Sequence, residues 1–556
     1  MSPFRSWRPT LLAAAIASTF VAGAQAGEHV DWLDDGTVLL KLGPDYGDAV
    51  IETSRAELGS LFGPEAQPFA GATIRVLTHN EGPHGAISGP LTAFAPVFEE
   101  LSGAKVELGL VPITNLNATM MLDLRRGEGR YDATLVAAYF YGELIDGNFI
   151  RPVDDLAASG KFPRWSYDAM PDAVRQLYTW NGAGYGVPND ADGQVLYYRR
   201  DVLSDPDWQA RFKDELGYDL PMPPRTWQQV LDVARFFNGK DWDPGDNQPD
   251  HGMVMHLKPG EQGHYHFQSL AAAFTIPPTA AAKGDQNLFW FDPETMTPLI
   301  NSEGHVAALE MLQALNETGP GEQLGWRLPE AWAYFLRGKA VLTFSFGDLG
   351  ALCQDRSVSR VRGKCGVAAL PGSARHWNQA ARQWADTPEP QPVGNTTGGS
   401  WHGVISRQAK QPEAAYAFLS LMAIPPVSAW NAQHGWTGIN PGFRYEFLPP
   451  EGTAQVVDYM KAGWDRADVE DYLRAYQRTF TAPAMLPYLR IRGTPDYWSA
   501  LDSELAATMG GRKTPQQALD DVAASWEKIT ERLGRERQLE LYRAAIGYAP
   551  PAGTSG

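Results

Sequence analysis

Two cysteines in 556 residues are too few for a disulfide-stapled scaffold or a cysteine-rich metal site. Cys353 and Cys365 have eleven residues between them and no histidine close by. In an oxidising compartment one local disulfide is therefore expected rather than two buried thiols. Beyond the N-terminal region no long apolar run occurs, so no membrane span is expected and the body reads as soluble. Basic residues are also scarce: 47 Lys and Arg face 65 Asp and Glu, a formal charge of −18. A surface of that sign repels phosphate backbones and anionic lipid, which excludes nucleic-acid and membrane partners. Several catalytic signatures are missing too. There is no His-Glu-x-x-His, no phosphate-cradling glycine loop and no dinucleotide fingerprint. The segment Gly398-Gly399-Ser400-Trp401-His402-Gly403 misses the Gly-x-Ser-x-Gly elbow by one position. Neither a cofactor nor a resident metal is expected.

What is present begins with an export signal. Arg5 and Arg8 precede an apolar or small stretch from Thr10 to Gly23, and Ala24-Gln25-Ala26 offers small residues at the two positions a signal peptidase reads. Residues 1–26 are thus expected to be removed, placing the mature protein in the periplasm. No cysteine follows the cleavage site to carry a lipid. Loss of Arg5 and Arg8 leaves 45 basic residues against 65 acidic ones, a charge of −20.

Residues 27–70 carry no interpretable motif. From Ala72 the pattern sharpens. Thr73–Thr78 reads as a strand opening into His79-Asn80-Glu81-Gly82-Pro83-His84-Gly85. A helix follows with Leu91, Phe94, Phe98 and Leu101 on one face, interrupted by Pro96. Lys105–Leu110 alternates as a strand, another helix ends near Gly127, and Ala133–Ala138 is a short apolar run. This succession predicts an α/β fold with a parallel sheet covered on both faces, whose ligands sit at the carboxyl ends of the strands. Late in the chain Thr514 and Gln517 form a capping box, Pro515 starts a helix, and Leu519, Val522, Trp526, Ile529 and Leu533 share its apolar face up to Gly534.

In order along the chain come Ile87–Leu101 followed by Ser102-Gly103-Ala104-Lys105-Val106, Gly127–Asp132, Gly147–Leu156, and the strand Val195–Arg200 with Asp201. Phe335–Leu342, Gly366–Gly372, Gly398–Gly403, Pro412–Leu419 and Thr514–Ile529 follow. This collinear set resembles the extracellular solute-binding proteins of carbohydrate ABC importers, the group that contains maltose-binding protein. The resemblance implies a non-enzymatic, monomeric protein with two α/β lobes and several inter-lobe crossings. It would capture a small, neutral carbohydrate or polyol and hand it to the importer's membrane permease. It divides the chain into an extension (27–70), a first lobe (71–190 with 404–436) and a second (198–402 with 441–556). The sequence departs from the pattern in that extension, near Leu216–Pro224 and near Trp377–Gln391. Two rivals remain: a periplasmic carbohydrate-active enzyme using two carboxylates, and the same fold binding a polyamine or amino acid.

A sugar presents hydroxyls and apolar C–H faces, so its site needs carboxylates, amides and aromatic plates. Carried across from the family, the expected contacts are Asn80, Glu81, Tyr139, Tyr141, Asp190, Asp192, Tyr265, His266, Asp348, Trp401 and Trp436. Trp498 matches another aromatic position but reads as core, with Tyr197 and Trp326. As a strand, His264 and His266 would face one side as a metal pair might, yet no third ligand is placed. Asp241–Asp250 resembles an imperfect calcium loop and reads better as a solvated acidic one.

Overall fold

The computed structural model describes residues 25–79, 83–243, 248–278 and 288–549. Asn80, Glu81, most of the export signal and the middle of the 241–250 loop lie outside them. Two separate sheets organise the chain. The first runs in the order Gly186–Pro188, His402–Ile405, Ala133–Val136, Thr73–His79, Lys105–Val111. Its last three strands are mutually parallel, and His402–Ile405 joins them antiparallel. The second runs His251–Val254, Ala340–Ser345, Val195–Arg199, Cys365–Ala369. Chain order therefore leaves the first sheet after Pro188, builds the second from Val195, and returns at His402.

Local chemistry explains the elements that aim at the space between the sheets. Ala133–Val136 is buried at every position, as a central strand covered on both faces must be. The helix Gly89–Ser102 carries its predicted apolar face inward, with Leu91, Phe94, Phe98 and Leu101 buried, and it continues through Pro96. Leu110 departs from its predicted face: it is 45% exposed, because Lys105–Val111 is the sheet's edge. At Thr514 the capping box forms, heading a helix Pro515–Leu533 whose Leu519, Val522 and Trp526 are fully buried. Residues 25–54, silent in sequence, form a four-stranded antiparallel sheet. It is tied to the first lobe where the His29 and Val30 amides donate to Glu100 at 2.7 and 3.0 Å.

Two details differ from the sequence reading. The His264–His266 segment is not a strand but the start of a buried helix, His264–Thr275. Its alanine-rich run lacks strand punctuation, and burial on all sides erases the helical period. The expected disulfide is not formed in this structure: Cys353 and Cys365 are buried thiols whose sulfurs lie 2.6 Å apart, against about 2.05 Å for a bond.

Candidate functional site

The carboxyl ends of the two inner parallel strands of the first sheet face a cleft of about 470 Å³. Thr73–His79 ends on His79, and the chain beyond Val136 supplies Tyr139. From the other side come Tyr265 on the helix His264–Thr275, Trp498 and Asp502 on the helix Thr494–Met509, and Asp348 just beyond the strand Ala340–Ser345. The segments that pass between the sheets add Asp192, Gly398, Trp401 and Thr437.

The wall is largely aromatic and meets itself across the gap. Tyr139 lies edge-on to Trp498 at 5.1 Å, Trp498 edge-on to Tyr265 at 5.3 Å, and Trp401 against His79 at 4.6 Å. Such plates offer a π face to the C–H surface of a ligand. Burial holds His79 at about 4, so above that pH it is a neutral imidazole with one donor and one acceptor.

Four acids line the cleft, Asp192, Glu261, Asp348 and Asp502. Asn440 connects one of them to the passage between lobes: its backbone N–H donates to Asp190 at 2.9 Å and its side-chain amide to Asp348 at 3.0 Å. Desolvation pushes Asp192 and Asp348 upward from the usual carboxylate range, and the neighbouring aspartate charges push Asp192 further. Asp502 is raised to about 6 by burial, although the Gly260 amide donates to it. Gly398 has to be glycine: at φ +99° it sits where a Cβ would come 2.6 Å from the Asp192 carboxyl carbon.

Several polar atoms of this wall have no hydrogen-bond partner among the described residues: both ring nitrogens of His79, the Thr437 hydroxyl and the Trp498 indole N–H. All three residues are buried, at 4, 4 and 6% exposure. An unmet buried polar group costs about 1–3 kcal/mol, and three such residues stand together on this wall. The backbone here is strained as well. Ala86 and Thr437 line the cleft with positive φ, and Ser400 and Trp436, their neighbours in the crossings, share it. For a β-branched residue such as Thr437 that conformation is an outlier that a site has to sustain.

Of the expected contacts, Tyr139, Asp192, Tyr265, Asp348 and Trp401 line the cleft. Four others do not. Tyr141 is fully buried, edge-on to His402. The chain stops being extended after Val136 and turns into a helix Tyr141–Asp146, so Tyr139 and Tyr141 no longer share a face. His266 fails for the same reason; two residues on from His264 in a helix, it points into the core and pairs with His256 at 2.9 Å. Trp436 sits behind the wall against Gly89, its indole donating to Asn431 at 2.8 Å. Gly435, Trp436, Thr437 and Gly438 all have positive φ, and that turn sends Trp436 backward while Thr437 faces the cleft. Asp190 lines a small neighbouring cavity and is held by Asn440. Trp498, read as core, is a cleft residue, and sequence reasoning missed His79, Thr437 and Asp502. Among the described residues no group of three or more His, Cys, Asp or Glu is arranged to hold a metal ion.

Two α/β lobes flanking an aromatic, acid-bearing cleft are the architecture of a solute-binding protein. The same fold is seen in an ABC transporter solute-binding protein of Agrobacterium radiobacter K84 in complex with ribitol. That match has a TM-score of 0.62 at 18% identity over 83% of this chain and 100% of that one. A solute-binding protein of Agrobacterium vitis S4 with bound D-mannitol matches at 0.58 and 18%, over 83% and 99%. The sn-glycerol-3-phosphate-binding periplasmic protein UgpB of Escherichia coli K12 is 24% identical over 390 residues, 69% of this chain and 76% of that protein. The chain belongs to the bacterial extracellular solute-binding protein family, whose pattern it matches over residues 93–456.

Proposed function

We propose that this protein is the solute-capturing component of an ABC importer, closing its cleft on a small carbohydrate or polyol and presenting it to the permease without chemical change. The observation that carries the reading is the set of orphaned polar atoms on His79, Thr437 and Trp498, set among aromatic plates and carboxyls. Hydroxyls donate and accept, so a polyol meets all of them at once. Ribitol and D-mannitol in the two structures of like fold support the same class. A phosphorylated client, which the name of the E. coli relative gives for that protein, fits poorly. Asp192, Asp348 and Asp502 face the cleft, and its one arginine, Arg327, is engaged at 3.1 Å with Glu330.

Tyr139, Asp192, Tyr265, Asp348 and Trp401 are then the ligand contacts, joined by His79, Thr437 and Trp498. Residues 71–190 with 404–436 move against 198–402 with 441–556, and closure brings the two sets of contacts together. The protein acts as a monomer in the periplasm after loss of residues 1–26, where Cys353 and Cys365, already side by side, close into a disulfide.

Calorimetric titration against sugars, polyols, glycerol phosphate, amino acids and polyamines tests the client. Small-angle scattering of the same samples tests closure, with a smaller radius of gyration expected at saturation. Binding confined to amino acids or polyamines would overturn the reading, and release of altered sugar would make the protein an enzyme. N-terminal sequencing of exported protein should begin at Gly27. Thiol alkylation without reduction should leave both cysteines unlabelled.

A further inference from the structure

We propose that the client is an amine-bearing sugar or polyol whose ammonium group seats against Asp192 and Asp348. This deepens the solute-capture reading and rests on it.

The argument is one of charge balance on the cleft wall. Asp192 and Asp502 are each 6% exposed, and Asp348 is partly buried beside them. None of the three has a Lys or Arg partner among the described residues. The cations at the rim are taken by other acids: Lys258 lies 3.6 Å from Glu261, which also lines the cleft, and Arg327 3.1 Å from Glu330. Internal amides answer the acids only in part. Asn440 gives one N–H to Asp348, and the Asp192 carboxyl is met by one Ser400 backbone N–H and by the Asp190 carboxyl, itself an acid.

Other buried carboxyls are met either by backbone N–H groups, as Asp132 is, or by a cation. Asp468 meets Arg200 at 2.9 Å and Asp250 meets Lys339 at 3.0 Å. Desolvation is too costly for an unmatched ionised pair to persist in an empty, closed cleft. An ammonium supplies the missing charge and three donors. The neutral His79 imidazole takes a further donor, and the faces of Trp401 and Tyr265 suit a cation by their quadrupoles. Trp498 and Thr437 remain for hydroxyl oxygens, so the client needs both functions.

Matched pairs decide it: D-glucamine against D-glucitol, and D-glucosamine against D-glucose, each titrated calorimetrically into the full mature protein. The amine should bind at least about ten-fold tighter in one pair or both. That preference should fall toward parity in Asp192→Asn and in Asp348→Asn, with melting curves checking that each variant folds. Equal or tighter binding of the neutral member in both pairs overturns the proposal and leaves sugar and polyol capture standing. A preference unchanged in both Asn variants overturns the assigned seat, and binding to neither member of either pair overturns the proposal. n-Butylamine, which has no hydroxyls, separates the two readings. If it binds as tightly as D-glucamine, the hydroxyl reading itself is wrong.

Discussion

Asp132 and Asp192 are both buried aspartates, 2 and 6% exposed, and the molecule treats them in opposite ways. Asp132 stands where the chain enters the strand Ala133–Val136. It accepts three backbone N–H groups, from Arg75 at 2.9 Å, Lys410 at 2.7 Å and Gln411 at 2.8 Å. It thereby ties a strand of the first sheet to the entry of the helix Pro412–Ala423. Asp192 lies on the cleft, where its carboxyl is met by one Ser400 backbone N–H and by the Asp190 carboxyl, while its own N–H donates to the Ser400 hydroxyl at 2.9 Å. A carboxylate saturated with N–H donors is scaffold. One that has a single N–H and a second acid beside it, on a cavity wall, gains from a donor supplied from outside.

Replacement of each by alanine should separate the two roles. Asp132→Ala leaves three N–H groups buried without an acceptor, and unfolding in urea should show a loss of about 3–5 kcal/mol, the largest effect anticipated. Whatever folds should bind ligand normally. Asp192→Ala should reverse the pattern, weakening affinity about ten-fold or more by calorimetry while the urea midpoint barely moves. Asp520, an exposed acid on the helix Pro515–Leu533, is the control, and its loss should alter neither. Wild-type affinity in Asp192→Ala would break the comparison at its centre.

Asp502 stands between these extremes, on the cleft wall yet bonded to the Gly260 amide. Burial raises its pKa from 3.8 to about 6. Between those values the folded protein holds a proton that the unfolded chain has released, so its contribution to stability falls as pH rises through the window. Asp502→Asn keeps an acceptor for Gly260 and removes the charge. The variant should match the wild type near pH 4 and exceed it by about 1–3 kcal/mol at pH 8, measured by urea unfolding at both. A gap that instead widens toward acid would mean that Asp502 is held ionised by a group on the wall.

How much of this was legible from residues alone follows from where the chain is regular. The first parallel strands, the amphipathic helix Gly89–Ser102 and the capped helix Pro515–Leu533 declare themselves by period and cap. Tyr139 could be placed because it follows a buried strand by only a few residues. Tyr141 and His266, carried across from the family pattern, lie off the cleft because the chain is helical at both and turns them into the core. Trp436 was named and Thr437 was not, because which of two neighbours lines the cleft depends on a left-handed turn, and Gly435 and Gly438 mark that turn without giving its direction. Residues 25–54 were silent since their short strands form a sheet only by pairing with one another against the first lobe.

The smallest effect gives the sharpest test, because stability and affinity should move in opposite directions. Thr437 lines the cleft, and its buried hydroxyl has no partner among the described residues, at 4% exposure. Valine has nearly the same shape and the same branching at Cβ, so Thr437→Val adds no new strain to the positive-φ backbone, which both residues bear equally. Removing an unmet hydroxyl relieves the empty protein of a desolvation cost. The unfolding midpoint should therefore stay level or rise by up to about 1 kcal/mol in stability. Ligand then loses one hydrogen bond, worth about 0.5–1.5 kcal/mol, so affinity should fall by about two- to twelve-fold. A structural hydroxyl gives the opposite signature, a lower urea midpoint with affinity intact. That result would move Thr437 to the side of Asp132 and take the crossing at 435–438 out of the binding site.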